Sequence, residues 1–250
     1  MHFPYTIDIF GQQVLFHGVA EFVGIFIAFR YYLYLKKKQG DPVEKEQRLY
    51  VIAGAILGAV IGARIIGALE NVPQWLAAPD KWVYFYGNKT LVGGLLGGLT
   101  GVELMKKIIG ERQNTGDLFT FPLLLGMIIG RVGCFSAGIY EETYGLPTRL
   151  PWAMDLGDGI LRHPVTLYEI MYLVVLWIVL VRISKKYPLK QGSLFKLMMI
   201  AYLVFRFSLD FIKPGWRYCL GLGTIQLACV AGLIYYSRYI IKPGLLLEKE

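Results

Sequence analysis

Seven stretches of the chain are almost continuously apolar, and each is close to the roughly 20 residues that a membrane-spanning helix needs. They lie at residues 14–35, 50–69, 91–110, 117–138, 164–183, 194–213 and 222–241. Shorter runs would be equally typical of helices buried in a water-soluble core, but runs of this length favour a bilayer. The pattern therefore predicts an all-α integral membrane protein, a single domain over residues 1–250 with seven transmembrane helices.

The composition supports this prediction and excludes several other classes of protein. Hydrophobic residues make up 55% of the chain and charged residues 18%, and the mean hydropathy is +0.48. A water-soluble domain is less apolar and more charged, so soluble, disordered, collagen-like and coiled-coil chains are disfavoured. The three cysteines are too few for a disulfide scaffold.

The distribution of Lys and Arg predicts the orientation of the helices. Fifteen of these residues fall in the connections on one side of the predicted membrane and six on the other, and the N-terminal tail has none. The richer side is expected to be cytoplasmic, which gives an N-out, C-in protein of a bacterial cytoplasmic membrane. This asymmetry accounts for the net charge of +8, so we expect no nucleic-acid partner. The tail also lacks the features of a removable signal peptide.

Two long connections and two glycine patterns add detail. Residues 70–90 form an outer loop whose aromatic side chains are typical of a membrane interface. Residues 139–163 are rich in Gly, Pro and charge, and predict an ordered outer arm. Glycines recur every four residues at Gly54, Gly58 and Gly62 and again at Gly93, Gly97 and Gly101. Such spacing predicts close contact between the second and third spans.

Five basic residues lie inside the predicted spans. Arg30 and Lys196 are close enough to the cytoplasmic end to reach the membrane surface. The other three are arginines at a depth where a charge costs at least ~2.5 kcal/mol. They are Arg64, Arg131 and Arg206. Further polar residues are predicted at a similar depth in the outer half of the bilayer: His17, Glu21, His163, Glu169 and Asp210. This convergence predicts a polar cavity that opens outward. Guanidinium groups suit the phosphate of a phospholipid headgroup; structural ion pairs such as Arg206 with Asp210 are the alternative interpretation.

Several linked motifs resemble one enzyme family. GRVGCF at 130–135 is followed by YGLPT at 144–148, LPWAM at 150–154 and RHPVTLYE at 162–169. The prolipoprotein diacylglyceryl transferase family has G-R-x-G-N-F, Y-G-x-P-T, L-P-W and R-H-P-x-Q-L-Y-E in the same order. Its Y-x3-R-x3-E pattern is similar to Tyr202, Arg206 and Asp210. The similarity is densest over residues 117–169 and continues weakly along the chain.

The resemblance implies a seven-helix transferase bundle and a reaction. Members of this family take phosphatidylglycerol from the outer leaflet and transfer its diacylglyceryl group to a lipobox cysteine of a lipoprotein precursor, leaving glycerol phosphate. No metal or other cofactor is implied. We expect six residues to bind the phospholipid: Arg64, Arg131, Cys134, His163, Tyr202 and Arg206.

The chain departs from the family pattern where the acceptor would be activated. Val92 stands where the family has a histidine, His17 aligns with a tyrosine, Cys134 replaces an asparagine and Asp210 a glutamate. The family's N-G-E run is also absent here, with Glu141 or Glu142 nearby.

Three residues remain as candidates for catalysis, namely His17, Glu21 and Asp210, with His17 as the general base. Cys134 is either a small packing residue or a thiolate nucleophile beside Arg131. A divergent enzyme with a different acceptor, and a lipid-binding or transport protein that has lost catalysis, remain alternatives. The internal repeat that is typical of transporters is not found.

Overall fold

The computed structural model describes residues 3–248, except the side chains of Ile9 and Cys219, and is mostly helical. Ten α-helices occur in this range: α1 (Phe16–Gln39), α2 (Lys45–Glu70), α3 (Val72–Ala77), α4 (Lys81–Gly87), α5 (Leu91–Ile109), α6 (Asp117–Ala137), α7 (Val165–Lys186), α8 (Ser193–Leu209), α9 (Thr224–Tyr235) and α10 (Ser237–Ile241). Short 3-10 turns follow α6 and α8 at Gly138–Tyr140 and Asp210–Ile212.

Within residues 3–248, four helices are long and apolar enough to cross a membrane: α1, α2, α6 with its following turn, and α7. The apolar helix α9 is shorter. The predicted class, a mostly helical integral membrane protein, is confirmed. Helices α5, α8 and α9 fall at the other three predicted spans, but α9 ends before residue 241. It ends there because Tyr236 (φ −90°, ψ 2°) leaves the helical conformation before α10 begins.

The glycine patterns lie where α2 and α5 cross. A Cβ atom added at Gly54 would lie 2.7 Å from the carbonyl oxygen of Gly101, and one at Gly58 would meet the backbone of Gly97 even more closely. Only residues without a side chain allow two helix backbones to approach in this way. The predicted contact between the second and third spans is therefore confirmed.

A buried apolar core lies between α5, α6, α7, α8 and α9. Leu124, Leu173, Met199 and Leu203 are completely buried within it. Val92 belongs to the same core and is 1% exposed. The position that aligns with the family's histidine is therefore occupied by an apolar side chain of the core. Between helices that span a membrane, such side chains stabilise the bundle by van der Waals packing rather than by removal from water.

Two short β-hairpins are a correction to the all-α prediction. Strands β1 (Thr6–Ile9) and β2 (Gln12–Leu15) pair antiparallel across a turn in which Phe10 (φ 53°) and Gly11 (φ 79°) are left-handed. Each strand has only four residues, and β2 runs directly into the first predicted span, so the pattern along the chain does not separate the hairpin from that span. The hairpin is held to the end of α6 by a hydrogen bond from Tyr5 N to Ser136 O (2.8 Å).

The second hairpin lies within residues 139–163, the outer arm. Strands β3 (Met154–Asp155) and β4 (Leu161–Arg162) pair antiparallel. The turn between them is organised by Asp155, whose carboxylate accepts hydrogen bonds from the backbone N–H groups of Gly157, Asp158 and Gly159. In the 70–90 loop, Asp80 caps α4 by accepting hydrogen bonds from the N–H groups of Trp82 and Val83.

Candidate active site

Charged side chains from three helices meet at one end of the bundle. Arg131 lies near the end of α6, Glu169 near the start of α7 and Arg206 near the end of α8. Because α6 and α8 end where α7 begins, these residues come together although they are distant in sequence. With Asp210 and Arg217 they form a group that we call the arginine cluster.

Glu169 is the centre of the arginine cluster. Its Oε2 atom lies 2.9 Å from Nε of Arg131, and its Oε1 atom accepts a hydrogen bond of 2.7 Å from the Tyr202 hydroxyl. Glu169 is 2% exposed and Tyr202 is fully buried. A carboxylate buried in this way is stable only with such partners, so Glu169 fixes the position of the Arg131 guanidinium.

Arg206 is buried but weakly paired. Its nearest carboxylate contact within residues 3–248 is Asp210, whose Oδ1 lies 4.0 Å from Nη2, and its Nε has no hydrogen-bond partner in the described chain. Asp210 is bound more tightly by Arg217, which donates from Nη1 to Oδ2 at 3.2 Å. The structure therefore leaves a buried guanidinium with unused donors.

Arg217 closes the arginine cluster from the loop before α9. It also donates to Oε1 of Gln226 at 2.8 Å and to the carbonyl oxygens of Asp210 and Lys213. Lys213 is buried, and its Nζ lies 3.8 Å from the nearer oxygen of Glu70. The cations here outnumber the carboxylates, an arrangement that favours an anion.

A second group of polar residues surrounds His17 at the start of α1. Its Nε2 atom lies 3.2 Å from a carboxylate oxygen of Glu141 and 3.4 Å from one of Glu21. Lys89 Nζ donates to both oxygens of Glu21 at 2.6 Å. The predicted pair of His17 and Glu21 is therefore present, but Glu21 is held by a lysine and Glu141 is the closer carboxylate.

Cys134 lies between the two groups. The guanidinium of Arg131 donates from Nη1 toward the thiol sulfur at 3.6 Å, and the thiol also lies within reach of the His17 side chain. Cys134 is only partly buried. The position that replaces the family's asparagine thus connects the arginine cluster to the histidine.

Arg64 is an exception among the predicted phosphate ligands. Its guanidinium donates to the backbone carbonyl oxygens of Tyr86, in the last turn of α4, and Asn88, which follows that helix. Unpaired carbonyls at a helix end attract a cation, so Arg64 holds the 70–90 loop against α2. Among the described residues, no hydrogen bond or ion pair connects Arg64 with the arginine cluster. The expected shared phosphate site of Arg64, Arg131 and Arg206 is therefore not supported by a contact.

His163 lies in the outer arm. Its Nδ1 atom is 3.3 Å from the hydroxyl of Tyr168, which accepts a hydrogen bond of 2.7 Å from Nε1 of Trp152. These three residues line an open groove of about 520 Å³ whose other walls are apolar, among them Met171 and Ile212. His163 therefore contacts the groove and is not in the arginine cluster.

Glu142, which follows the 3-10 turn at the end of α6, differs from the neighbouring Glu141 in its surroundings. Burial raises the pKa of the Glu142 carboxyl above its usual value, and the negative charge of Glu70 raises it further. Glu142 thus holds a proton more readily than an exposed glutamate. Glu141 is the residue that faces His17.

Several site residues were missed or given no role by the sequence analysis. Glu169 ends the RHPVTLYE motif, so a signal for it was present. Arg217 was counted only as a loop charge, and Lys89 likewise. Neither has a motif around it. Lys89 reaches Glu21 on a helix that is distant in sequence, and Arg217 reaches Asp210 only because the loop after α8 turns back.

Comparison with known proteins agrees with this geometry. The family model described as prolipoprotein diacylglyceryl transferase matches residues 4–241. Proteins named phosphatidylglycerol–prolipoprotein diacylglyceryl transferase are similar along the chain. The one from Finegoldia magna is 27% identical over 94% of this chain and 96% of its own. The one from Nitratidesulfovibrio vulgaris is 31% identical over 78% and 75%, and the one from Thermotoga maritima 26% over 95% and 84%. A family match over nearly the whole length, together with the arginine cluster and the linked motifs, means that this chain belongs to the prolipoprotein diacylglyceryl transferase family.

Proposed function

We propose that this protein transfers the diacylglyceryl group of phosphatidylglycerol to the cysteine thiol of a lipoprotein precursor. The reaction takes place in a seven-helix bundle of the bacterial cytoplasmic membrane, with the N-terminus outside. The arginine cluster then faces the outer leaflet, from which the donor lipid enters. No metal or organic cofactor takes part in the proposed reaction.

The observation that carries this proposal is the buried, weakly paired guanidinium of Arg206. A buried cation with an unpartnered donor is costly. A lipid phosphate would supply both the missing charge and the missing acceptors. Arg131, held by Glu169, would contribute a second planar donor fork.

In the proposed reaction, the phosphate departs with the leaving group. The acceptor sulfur attacks the glyceryl carbon that bears the phosphate, a C–S bond forms and the C–O bond to phosphate breaks. The electron pair remains on the phosphate oxygen, and glycerol phosphate leaves with an additional negative charge. Arg131 and Arg206 stabilise the charge that develops in the transition state, a contribution that is large in a site without water.

The thiol proton is taken by a base before or during this attack. His17 is the proposed base, because Val92 has no titratable group and Asp210 is held between two arginines. Glu141 orients the His17 ring and stabilises the imidazolium that forms, while Lys89 neutralises Glu21. Asp210 and Glu21 are thus positioning residues rather than bases.

A second candidate function is phospholipid binding without transfer. Two observations favour it: the buried Val92 in place of a histidine, and Cys134 in place of an asparagine. In that case the arginine cluster binds the lipid phosphate, and no acceptor is modified. An enzyme of the same type with another nucleophile as its acceptor is the intermediate possibility.

The test is incubation of the purified protein with phosphatidylglycerol and a lipobox peptide, followed by mass spectrometry of both products. We expect glycerol phosphate and a peptide heavier by one diacylglyceryl group in equal amounts. Glycerol phosphate without modified peptide would identify a different acceptor. If neither product forms although the lipid binds, the protein is a binding protein and the transferase proposal is wrong.

The proposed orientation has its own test. A cytoplasm-dependent fluorescent reporter fused to the C-terminus is expected to be active, and a reporter that requires export is expected to be inactive there. The opposite pair of results would reverse the bundle and put the arginine cluster at the inner leaflet.

A further inference from the structure

A second cavity, of about 350 Å³, lies at the other end of the bundle from the arginine cluster. Its walls include the beginnings of α6 and α8 and the end of α5. The arginine cluster lies where α6 and α8 end, so the whole length of these helices separates the two places. We call this space the inner cavity.

The lining of the inner cavity changes from apolar to polar along its length. The inner part is formed by small and apolar residues, namely Ala55, Ala59, Gly94, Leu95, Gly98 and Leu99. Polar groups lie toward the end of the bundle, where the lining includes Lys106, Lys196, Glu103 and Tyr236. The cavity is therefore amphipathic in the same direction as a lipid in the adjacent leaflet.

The two lysines have few partners for their charge. Lys106 is 8% exposed, and its Nζ lies 3.4 Å from Glu103, whose own side chain is half exposed. Lys196 Nζ lies 4.6 Å from the ring centre of Tyr239. Each ammonium group carries three donors, so donor capacity remains for a ligand. The carboxylate of Asp117, which also interacts with Lys196, already accepts hydrogen bonds from the backbone N–H groups of Gly192 and Phe195.

The hydroxyl of Tyr236 independently indicates a ligand in the inner cavity. It is 2% exposed and lines the inner cavity, yet its hydroxyl has no hydrogen-bond partner among residues 3–248. A buried hydroxyl without a partner is destabilising, and a hydrophobic residue of the same shape would avoid the cost. The hydroxyl is an appropriate donor for an anion that also contacts the lysines.

We propose that the inner cavity binds an anionic phospholipid of the adjacent leaflet. Lys106, Lys196 and the Tyr236 hydroxyl contact the phosphate, and an acyl chain occupies the apolar part between α2 and α5. In the orientation proposed above, this leaflet is the cytoplasmic one, which is rich in anionic lipid. The site is distinct from the one at which the donor lipid reacts, and it requires no chemistry.

Native mass spectrometry of the protein in neutral detergent tests the proposal, with phosphatidic acid as the probe. We expect K106Q/K196Q to weaken the binding of one lipid by about tenfold, because both ammonium contacts to the phosphate are lost. A tenfold change in Kd corresponds to about 1.4 kcal/mol. Tyr236→Phe, which removes one oxygen atom, should weaken the same lipid by a smaller factor. Lys107→Gln, at the exposed position next to Lys106 on α5, should leave the lipid binding unchanged.

Two further arms identify the ligand and separate this site from the arginine cluster. Phosphatidylcholine and inorganic phosphate should bind at least tenfold more weakly than phosphatidic acid, and Arg206→Lys should leave the lysine-dependent binding intact. Unchanged lipid binding in both K106Q/K196Q and Tyr236→Phe would overturn the proposal. Inorganic phosphate that competes as well as the lipid would overturn the assignment to a phospholipid. Tyr236→Phe keeps the test valid if the lysine variant does not fold.

Discussion

The Nε atom of Arg131 on α6 lies 2.9 Å from the Oε2 atom of Glu169 on α7. This pair connects two motifs that lie apart in the sequence, GRVGCF and RHPVTLYE. The Arg131 guanidinium has little freedom to move, because its buried partner is itself held by Tyr202. Glu169 therefore presents a preorganised guanidinium, which is the arrangement that stabilises a transition state most effectively.

Replacing Arg131 or Arg206 by lysine should impair transfer although the charge is kept. Lysine has no planar fork, so one of two donors to the phosphate is lost. Removal of one such donor typically costs about 10²-fold in kcat, and we expect this loss for each variant in the lipobox-peptide assay. Equal activity of both variants and the wild type would contradict the proposed phosphate site.

Arg64→Lys is the matched control for these variants. Arg64 also lies in an apolar span, but its hydrogen bonds go to the backbone of Tyr86 and Asn88. We expect near-normal kcat and a lower midpoint of thermal unfolding. A loss of kcat as large as in Arg206→Lys would restore Arg64 to the phosphate-binding set.

The crossing of α2 and α5 predicts opposite effects for two neighbouring glycines of one helix. Alanine is favoured over glycine inside a helix by about 1 kcal/mol. At Gly97, however, a Cβ would collide with the backbone at Gly58, while at Gly94 the nearest atom would be 3.8 Å away.

Gly97→Ala should therefore destabilise the protein by about 1–3 kcal/mol, and Gly94→Ala should be neutral or stabilising. The measurement is thermal unfolding of the two variants in the same detergent. If Gly97→Ala is as stable as Gly94→Ala, the two backbones are not in contact.

The sequence predicted the helices better than the site, for physical reasons. An apolar span must satisfy its backbone internally, so its length and position are readable from the chain alone. The hairpin at residues 6–15 was missed because its strands have only four residues each and the second runs into the first apolar span. Helix α9 was predicted too long because its break at Tyr236 involves no Pro or Gly.

The site residues that lie on the membrane spans could be predicted from the sequence. Those that reach the site from loops could not. Arg131, Tyr202 and Arg206 follow from charge or motif, and the spacing of His17 and Glu21 gives their contact. Arg217 and Lys89 come from connections whose path depends on tertiary packing. The role of Asp210 changed for the same reason, since only the structure brings Arg217 to it.

Asp41, in the loop between α1 and α2, should make stability depend on pH. Burial would raise the pKa of its carboxyl, but hydrogen bonds from Arg48 and Lys36 outweigh this and hold the pKa below the usual 3.8. Because the folded pKa is the lower one, the stabilisation is fully present above pH 3.8 and is lost as the pH falls through the folded value.

Asp41→Asn leaves the buried Arg48 without its carboxylate, which typically costs about 3–5 kcal/mol. We expect a lower unfolding midpoint at pH 7, and a difference from the wild type that narrows below pH 3.8. Glu46→Gln, an exposed change in the first turn of α2, is the control and should have little effect. A difference that stays constant as the pH falls would show that the charge of Asp41 is not involved.

His17 is the group expected to activate the acceptor thiol. If His17 takes the thiol proton, His17→Ala should lower kcat at pH 7 by about 10²-fold or more, the usual contribution of a general base. The deficit should shrink as the pH approaches 8.5, because the acceptor cysteine then ionises without help. A variant that only disturbed packing would lose activity equally at every pH. Glu141→Gln should show a smaller loss, since it removes the charge that orients the ring.

Cys134 distinguishes this mechanism from a double displacement. In the proposed mechanism its thiol only packs between Arg131 and His17, so Cys134→Ala and Cys134→Asn should retain most of the activity. If the thiol instead attacks the lipid first, Cys134→Ala abolishes transfer, and a diacylglyceryl group can be found on Cys134 of the wild type by mass spectrometry. That result would make His17 the base for Cys134 rather than for the acceptor. A third outcome is that neither His17→Ala nor Cys134→Ala changes phospholipid turnover, while Val92→His creates transfer to the lipobox peptide. The natural protein would then bind lipid without modifying a lipoprotein, because it lacks only the base.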